Sequence, residues 1–275
     1  MSGRESSLPG GPSPGRIKRQ VQGREHRFAL VCPPGFEAVC LDEARRLGLS
    51  LVPLPGADAV QSGPVLEWTG RLEDLYRACL FLRVASRVLV RLDSFRAGAR
   101  EELFRHCCDF PWDLWLPSGC ALKVEAHVRH SRISHEGMTA ETVREAIARR
   151  MARAGLASPV EVRGGSPEAT GGETADEDSN SGDDSDEGIP TEADGMAASD
   201  GQAPCQRVIG HLEDNHARIS LDASGDHLHR RGWRTVHGAA PIRENLAAGL
   251  LLWAGWPTIA GDGTDNQSGE RILVD

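Results

Sequence analysis

Phe28-Ala29-Leu30-Val31-Cys32, cut off at once by Pro33-Pro34-Gly35, is the stretch on which the fold turns. Five apolar residues ended by Pro-Pro-Gly read as a short buried strand. Outward from it, residues 36–47 place Val39, Cys40, Ala44 and Leu47 at helical spacing, and Gly48 supplies a stop. Residues 51–54 and 65–68 are the next strand candidates. Residues 72–82 have helical spacing, and 85–92 read as a strand with Val88 and Val90 turned inward.

The order β-α-β-β-α-β is ferredoxin-like. It makes residues 26–97 a first unit, preceded by a polar, Gly/Pro/Ser/Arg-rich stretch, 1–25, that reads as a disordered tail. A second unit covers 98–223. Residues 99–108 are predicted helical. Over 120–128, Leu122, Val124 and Ala126 alternate with Lys123, Glu125 and His127, the pattern of a half-buried strand. A helix is expected from Thr139, with Val143, Ile147 and Met151 as its apolar face, followed by a short strand at 160–162. After a long interruption, 207–212 and 217–221 read as a hairpin turning at Glu213-Asp214-Asn215. Residues 224–240 are a linker. A last segment, 241–275, opens with a helix whose expected apolar face is Leu246, Leu250 and Trp253, and ends in a buried strand, Ile272-Leu273-Val274, before Asp275.

The chain of 275 residues carries 31 Lys or Arg against 40 Asp or Glu, a formal charge of −9 that on its face opposes nucleic acid. The distribution reverses that reading. Residues 164–204 hold twelve Asp or Glu and no Lys or Arg, so the remainder has 31 basic against 28 acidic residues, or +3. That acidic, Ser/Gly-rich insert lacks the apolar surface to offset its ordering entropy and is expected to be disordered. The seven cysteines form no CxxC pair, and most fall within apolar patterns. They indicate a reduced compartment and no metal knuckle. No apolar stretch approaches the roughly 20 residues of a membrane helix, and no signal peptide is visible at the start. A soluble, cytoplasmic protein without a membrane partner is expected.

Four segments then carry a resemblance. They are Phe28-Ala-Leu-Val-Cys-Pro-Pro-Gly-Phe-Glu37, Leu82-Arg-Val-Ala-Ser-Arg-Val-Leu89, Ile219-Ser-Leu-Asp-Ala-Ser-Gly-Asp-His-Leu-His-Arg-Arg-Gly-Trp-Arg234, and Ala240-Pro-Ile-Arg-Glu-Asn-Leu-Ala-Ala248. In this order and spacing they resemble the large-subunit (23S) ribosomal RNA guanine-N2 methyltransferases, class I enzymes dependent on S-adenosylmethionine that carry a THUMP RNA-binding domain. The third segment is the most specific, matching Leu-Asp-x-Ser-Gly-x-x-Leu-His-x-Arg-Gly-Tyr/Trp-Arg. The resemblance implies an α+β chain: a ferredoxin-like N-terminal unit, a THUMP domain, and the truncated start of a Rossmann-like α/β methyltransferase domain. It implies structured RNA, 23S rRNA, as partner, and no DNA. Asp275 resembles the residue just before the glycine loop that cradles the cofactor, so it is the one expected cofactor contact. The segment itself is expected to hold RNA and not to methylate.

Candidate RNA contacts lie in three stretches. Arg129, His130 and Arg132 form a polar loop after the 120–128 strand. Arg144, Arg149 and Arg150 lie on the following helix. His229, Arg230, Arg231 and Arg234 cluster after the Asp222-Ala-Ser-Gly225 turn. Positive donors grip phosphates, the sequence-independent part of RNA affinity. The competing reading of the last cluster is a packed linker, with Arg231 or Arg234 paired to Asp222 or Glu244. His127, His130 and His135 lack the company and spacing of a metal site, so no catalytic or metal residue is assigned. A stand-alone RNA-binding module serving another RNA-modifying enzyme, and a protein-interaction scaffold built on the acidic insert, are the alternative readings.

Overall fold

The computed structural model describes residues 11–53, 65–162, 205–232 and 242–256. After a short N-terminal helix, α1 (Pro14–Ile17), the strand expected from the opening stretch forms as β1 (His26–Val31). It is followed by helix α2 (Glu37–Arg46), β2 (Val52–Pro53), β3 (Val65–Gly70), α3 (Leu72–Phe81) and β4 (Arg87–Arg96). Pairing gives the spatial order β2-β3-β1-β4, all antiparallel, which is the ferredoxin-like arrangement the sequence order implied. β4 runs four residues further than the apolar pattern suggested, because a bulge between Arg91 and Asp93 re-registers it and lets it go on pairing.

The second half comprises α4 (Arg100–Asp109), a 3-10 turn (Trp112–Leu114), β5 (Ala121–Arg129), α5 (Glu136–Arg153), β6 (Val160–Glu161), β7 (Gln206–Glu213) and β8 (His216–Asp222). Its strands do not close a sheet of their own. β8 pairs with β4 from Leu89↔Asp222 to Arg96↔His216, so all eight strands form one sheet in the order β2-β3-β1-β4-β8-β7-β5-β6. The two units read from the sequence are halves of a single sheet, and β4 joins them. β5, β6 and β7 run parallel, with β5 between the other two.

One face of the sheet carries the core. Phe28, Leu30, Leu66, Val88, Val90, Leu122, Val208, Leu212 and Ile219 project into it, and α2 to α5 cover it with Cys40, Leu75, Leu103, Val143, Ile147 and Met151. Alternation explains the other face, where Ala29, Val31, Val65, Leu89 and Ile209 make a small cluster of strand residues only. Around it stand charges held by one another. Glu67 accepts from Arg91 Nε (2.8 Å) and Arg27 Nη2 (2.6 Å), and Arg91 Nη1 donates to Ser220 Oγ (3.0 Å).

Three expectations are corrected. The tail read over 1–25 is helical from Pro14 to Gln22, as α1 and a π-helical turn (Lys18–Gln22). It docks because Val21 is buried and Arg16 pairs with Asp113. α5 begins at Glu136, three residues before Thr139, whose hydroxyl donates back to the His135 carbonyl at 2.8 Å inside the helix. The last helix, α6 (Glu244–Trp253), buries Asn245 and Gly249, while Leu250 and Trp253 are exposed. Its packing is set by close approach to Phe36 instead of by its largest side chains. The acidic insert, Trp233, Arg234 and the strand ending at Asp275 lie outside the described residues.

Candidate nucleic-acid interface

The four motif segments of the sequence meet at one place, the turn between α3 and β4. Ser86 is its centre. The Ser86 N–H donates to the Val31 carbonyl at the end of β1 (2.8 Å), and its own carbonyl accepts from Leu228 N–H (2.9 Å). Its hydroxyl accepts from Asn245 Nδ2 of α6 (3.1 Å). Next to it, Arg87 forms an ion pair with Asp222, whose side chain is fully buried, and also donates to the Gly225 carbonyl (3.2 Å) and His227 Nε2 (3.1 Å). Val88 N–H donates to Ser224 Oγ (2.7 Å), and Ser224 N–H to Asp222 Oδ1 (2.9 Å). Gly225 completes the turn at φ +71°, a conformation a side chain would strain. On the other side, the Glu43 carboxylate of α2 accepts from Arg83 N–H, Arg83 Nε and Val84 N–H at 2.9–3.2 Å. A buried carboxylate persists only when its lone pairs are taken up in this way.

Arg231 belongs to the same knot. Its guanidinium donates to the carbonyls of Leu228, Cys79, Leu80 and Leu82. Cys79 and Leu80 lie in the last turn of α3, where helix carbonyls have no partner of their own and the dipole favours a cation. Arg231 is therefore the C-terminal clamp of α3. Of the two readings of this cluster, the packed linker is the one this contact resembles, although the carboxylate of Asp222 is paired with Arg87. Nearby, His227 is pushed down to about 4, first by burial and then by the adjacent Arg87 charge, and His229 is lowered for the same first reason. Both imidazoles are neutral near pH 7 and contribute no phosphate-binding charge. Arg230 is exposed.

The second stretch is also engaged. Arg144 pairs with Glu141 and reaches Glu161 at 3.9 Å. Arg149 lies over the Phe104 ring, 5.8 Å from its centroid. Arg150 donates from Nε and Nη2 to the buried Asp113.

The first stretch differs. Arg129, His130 and Arg132 are solvent-facing, and their side chains make no hydrogen bond or ion pair among the described residues. The backbone beneath them is fixed by the β7–β8 turn, where Asp214 and Asn215 both adopt positive φ. Asn215 Oδ1 accepts from Arg132 N–H (2.8 Å), its N–H donates to Ser131 Oγ (3.0 Å), and its carbonyl accepts from Ala97 N–H (2.8 Å). Ser131 Oγ in turn donates to the Arg129 carbonyl (2.8 Å). His130 sits at φ +45° within this frame. Arg96, at the end of β4 opposite His216, is exposed at the same end of the sheet. The arrangement is a loop tied down by hydrogen bonds that presents the unpaired guanidinium groups of Arg129 and Arg132, the donors with which backbone-reading RNA surfaces hold phosphates.

The structure thus separates the predicted contacts. Arg129, His130 and Arg132 stand at the end of the sheet where β4, β5 and β7 finish. His229, Arg230 and Arg231 lie at the opposite end, where β4 begins. The sequence reading gave no site role to Arg87, Ser86, Glu43 or Asn215. Ser86 and Arg87 lay within a motif segment and Asn215 within the expected turn, where Asp-Asn pairs tolerate the left-handed conformation, whereas Glu43 carried no local signal.

Comparison with known proteins bears on the knot. Residues 27–89 match the RlmL ferredoxin-like domain. That match spans β1 to the start of β4 and so includes Glu43, Arg83, Ser86 and Arg87. Relatives of this chain are ribosomal RNA large subunit methyltransferases K/L. The one from Marinobacter nauticus is 31% identical over 88% of this chain and 27% of its own length, and the one from Syntrophotalea carbinolica 31% over 90% and 29%. This chain spans less than a third of the length of those relatives. Among solved structures, SMU.472, a methyltransferase candidate crystallised with SAH, superposes with a TM-score of 0.58 at 25% identity, over 85% of this chain and 50% of that one. Both halves of the sheet are therefore shared with much longer chains.

Proposed function

We propose that this chain is the RNA-holding part of an S-adenosylmethionine-dependent ribosomal RNA methyltransferase acting on a guanine amine, with residues 98–223 serving as a THUMP domain. The reading rests on the loop 129–132: three outward donors on a backbone pinned by Asn215 and Ser131. The relatives' names supply the substrate class, ribosomal RNA. S-adenosylmethionine belongs to the family reading. Its expected contact, Asp275, lies outside the described residues, and the described residues are assigned to RNA alone.

Filter binding of 23S rRNA fragments across a salt series tests this. The chain binds at low salt, with affinity falling steeply as salt rises. Replacing Arg129 and Arg132 together by Ala lowers affinity on all fragments alike and reduces the salt slope by about one for each phosphate no longer held. A flat salt response, or full affinity in the double variant, overturns the assignment.

A further inference from the structure

Asp113 lies in the 3-10 turn after α4 with its side chain 3% exposed. Two arginines from distant parts of the chain meet it. Arg150 of α5 donates to Oδ1 from Nε (3.2 Å) and Nη2 (3.0 Å), and Arg16 of α1 donates to Oδ2 from Nη1 (2.8 Å). Both arginine side chains stay open to solvent, 38% for Arg16 and 27% for Arg150. With Gly11, Pro12, Arg153 and Ala154 they line a cleft of about 290 Å³. Arg153 makes no hydrogen bond or ion pair among the described residues.

We propose that this cleft binds a phosphate group. Three guanidinium groups against one carboxylate leave a formal charge of +2. Each guanidinium carries five N–H donors, so Arg16 and Arg150 keep donors beyond those spent on Asp113, which fixes their positions. Fixed forks of this kind suit a tetrahedral oxyanion. Two features oppose an anion here. The carboxylate is already counted in the +2, and its oxygens are occupied by the two arginines. The C-terminal end of α5 contributes roughly half a negative charge, and its Arg150 and Met151 carbonyls are already taken by the N–H groups of Ala154 and Leu156. The cation excess wins. The volume lies at the bottom of the range for small-molecule sites, about 300–1,000 Å³, which fits one phosphate with its ester arms.

The site stands independently of the RNA reading, because free phosphate and an RNA phosphodiester share this chemistry. Calorimetric titration of the full chain with inorganic phosphate, at constant ionic strength set by chloride, is expected to give a Kd on the order of 1 mM, the range of a few charge-assisted contacts. Arg153→Ala weakens it about tenfold. Arg16→Gln weakens it as well, and a melting curve confirms that each variant is folded. Asp113→Asn, wherever it folds, tightens binding. The RNA arm identifies the source: a salt slope lowered by about one in Arg153→Ala assigns the phosphate to RNA. An unchanged slope beside intact phosphate binding by the parent chain assigns it to a free phosphate. Loss of all RNA binding with phosphate binding intact sinks the RNA reading and leaves this one standing. The proposal is overturned by the absence of phosphate heat in the parent chain together with an unchanged RNA slope in both arginine variants. Phosphate binding that is undiminished in both variants overturns it equally.

Discussion

Arg231 is a motif residue whose guanidinium is taken up by the end of a helix. Its guanidinium satisfies carbonyls at the end of α3 that nothing else in the helix can reach. Hydrogen bonds from a charged donor contribute about 1.5–3 kcal/mol, so Arg231→Ala is expected to lower stability by about 2 kcal/mol. Urea denaturation reads this as an earlier midpoint at unchanged slope. Arg231→Lys recovers only part, since a point charge cannot serve several carbonyls at once. An unshifted midpoint with weakened RNA binding would return Arg231 to the RNA surface. His227 gives the same knot a pH dependence. It accepts a hydrogen bond from Arg87 through Nε2, and its proton affinity falls from the ordinary 6.5 to about 4. Between those values the unfolded chain binds the proton and the folded chain does not, so stability is lost as pH falls from about 6.5 toward 4. His227→Gln flattens that part of a melting-temperature profile, and a profile as steep as the parent's would place the acid sensitivity elsewhere. The sequence displayed Asp222, Ser224, Gly225 and Arg231 as a pattern. It did not display what they bind, because Arg87 pairs with a residue 135 positions away and nothing local encodes that pairing.

At the level of elements, periodicity worked where one face is buried and failed where backbone approach decides. Phe28 and Leu30 of β1, Leu122 of β5 and Val143, Ile147 and Met151 of α5 occupy the core as their spacing required. The face of α6 did not follow its hydrophobicity, since Gly249 lies against the Phe36 ring and leaves Trp253 outside. A Cβ added at Gly249 falls 2.6 Å from Phe36 Cδ1, so one of the two must move. Overpacking costs about 1–3 kcal/mol, against the roughly 1 kcal/mol that Ala gains over Gly within a helix. Gly249→Ala should therefore loosen α6, and Gly249→Val should detach it. Hydrogen exchange checks this. α6 amides are expected to exchange faster while β1 stays protected, and pairing Gly249→Ala with Phe36→Ala restores protection. Equal protection in the single variant would mean that Phe36 turns aside freely. The seam between β4 and β8 was invisible for a related reason. Each strand alternates correctly, but alternation says which face is buried and not which strand is the neighbour.

For the whole molecule the open matter is the twelve acidic residues of 164–204, which turn a +3 remainder into a −9 chain. Removing them should strengthen RNA binding at low salt, where the net field acts over long distances. The sheet constrains how that is done. Glu161 of β6 and Gln206 of β7 both register against Leu122, on opposite sides of β5. Two strand spacings put them about 10 Å apart in a straight line, but β5 lies on that line, so the chain must arc over it and needs a longer path than the direct span. A bare deletion of 164–204 leaves too few residues for that path and should unpair β6 or β7. Replacing 164–204 by a neutral Gly/Ser linker of about 12 residues keeps the topology and removes the charge. The replaced chain is expected to melt cooperatively and to bind 23S rRNA fragments more tightly than the parent at low salt, with the two converging as salt rises and screening removes the difference. Equal affinity at low salt would show that the insert's charge does not reach the RNA surface. Lost cooperativity would show that the insert supplies structure to the sheet edge.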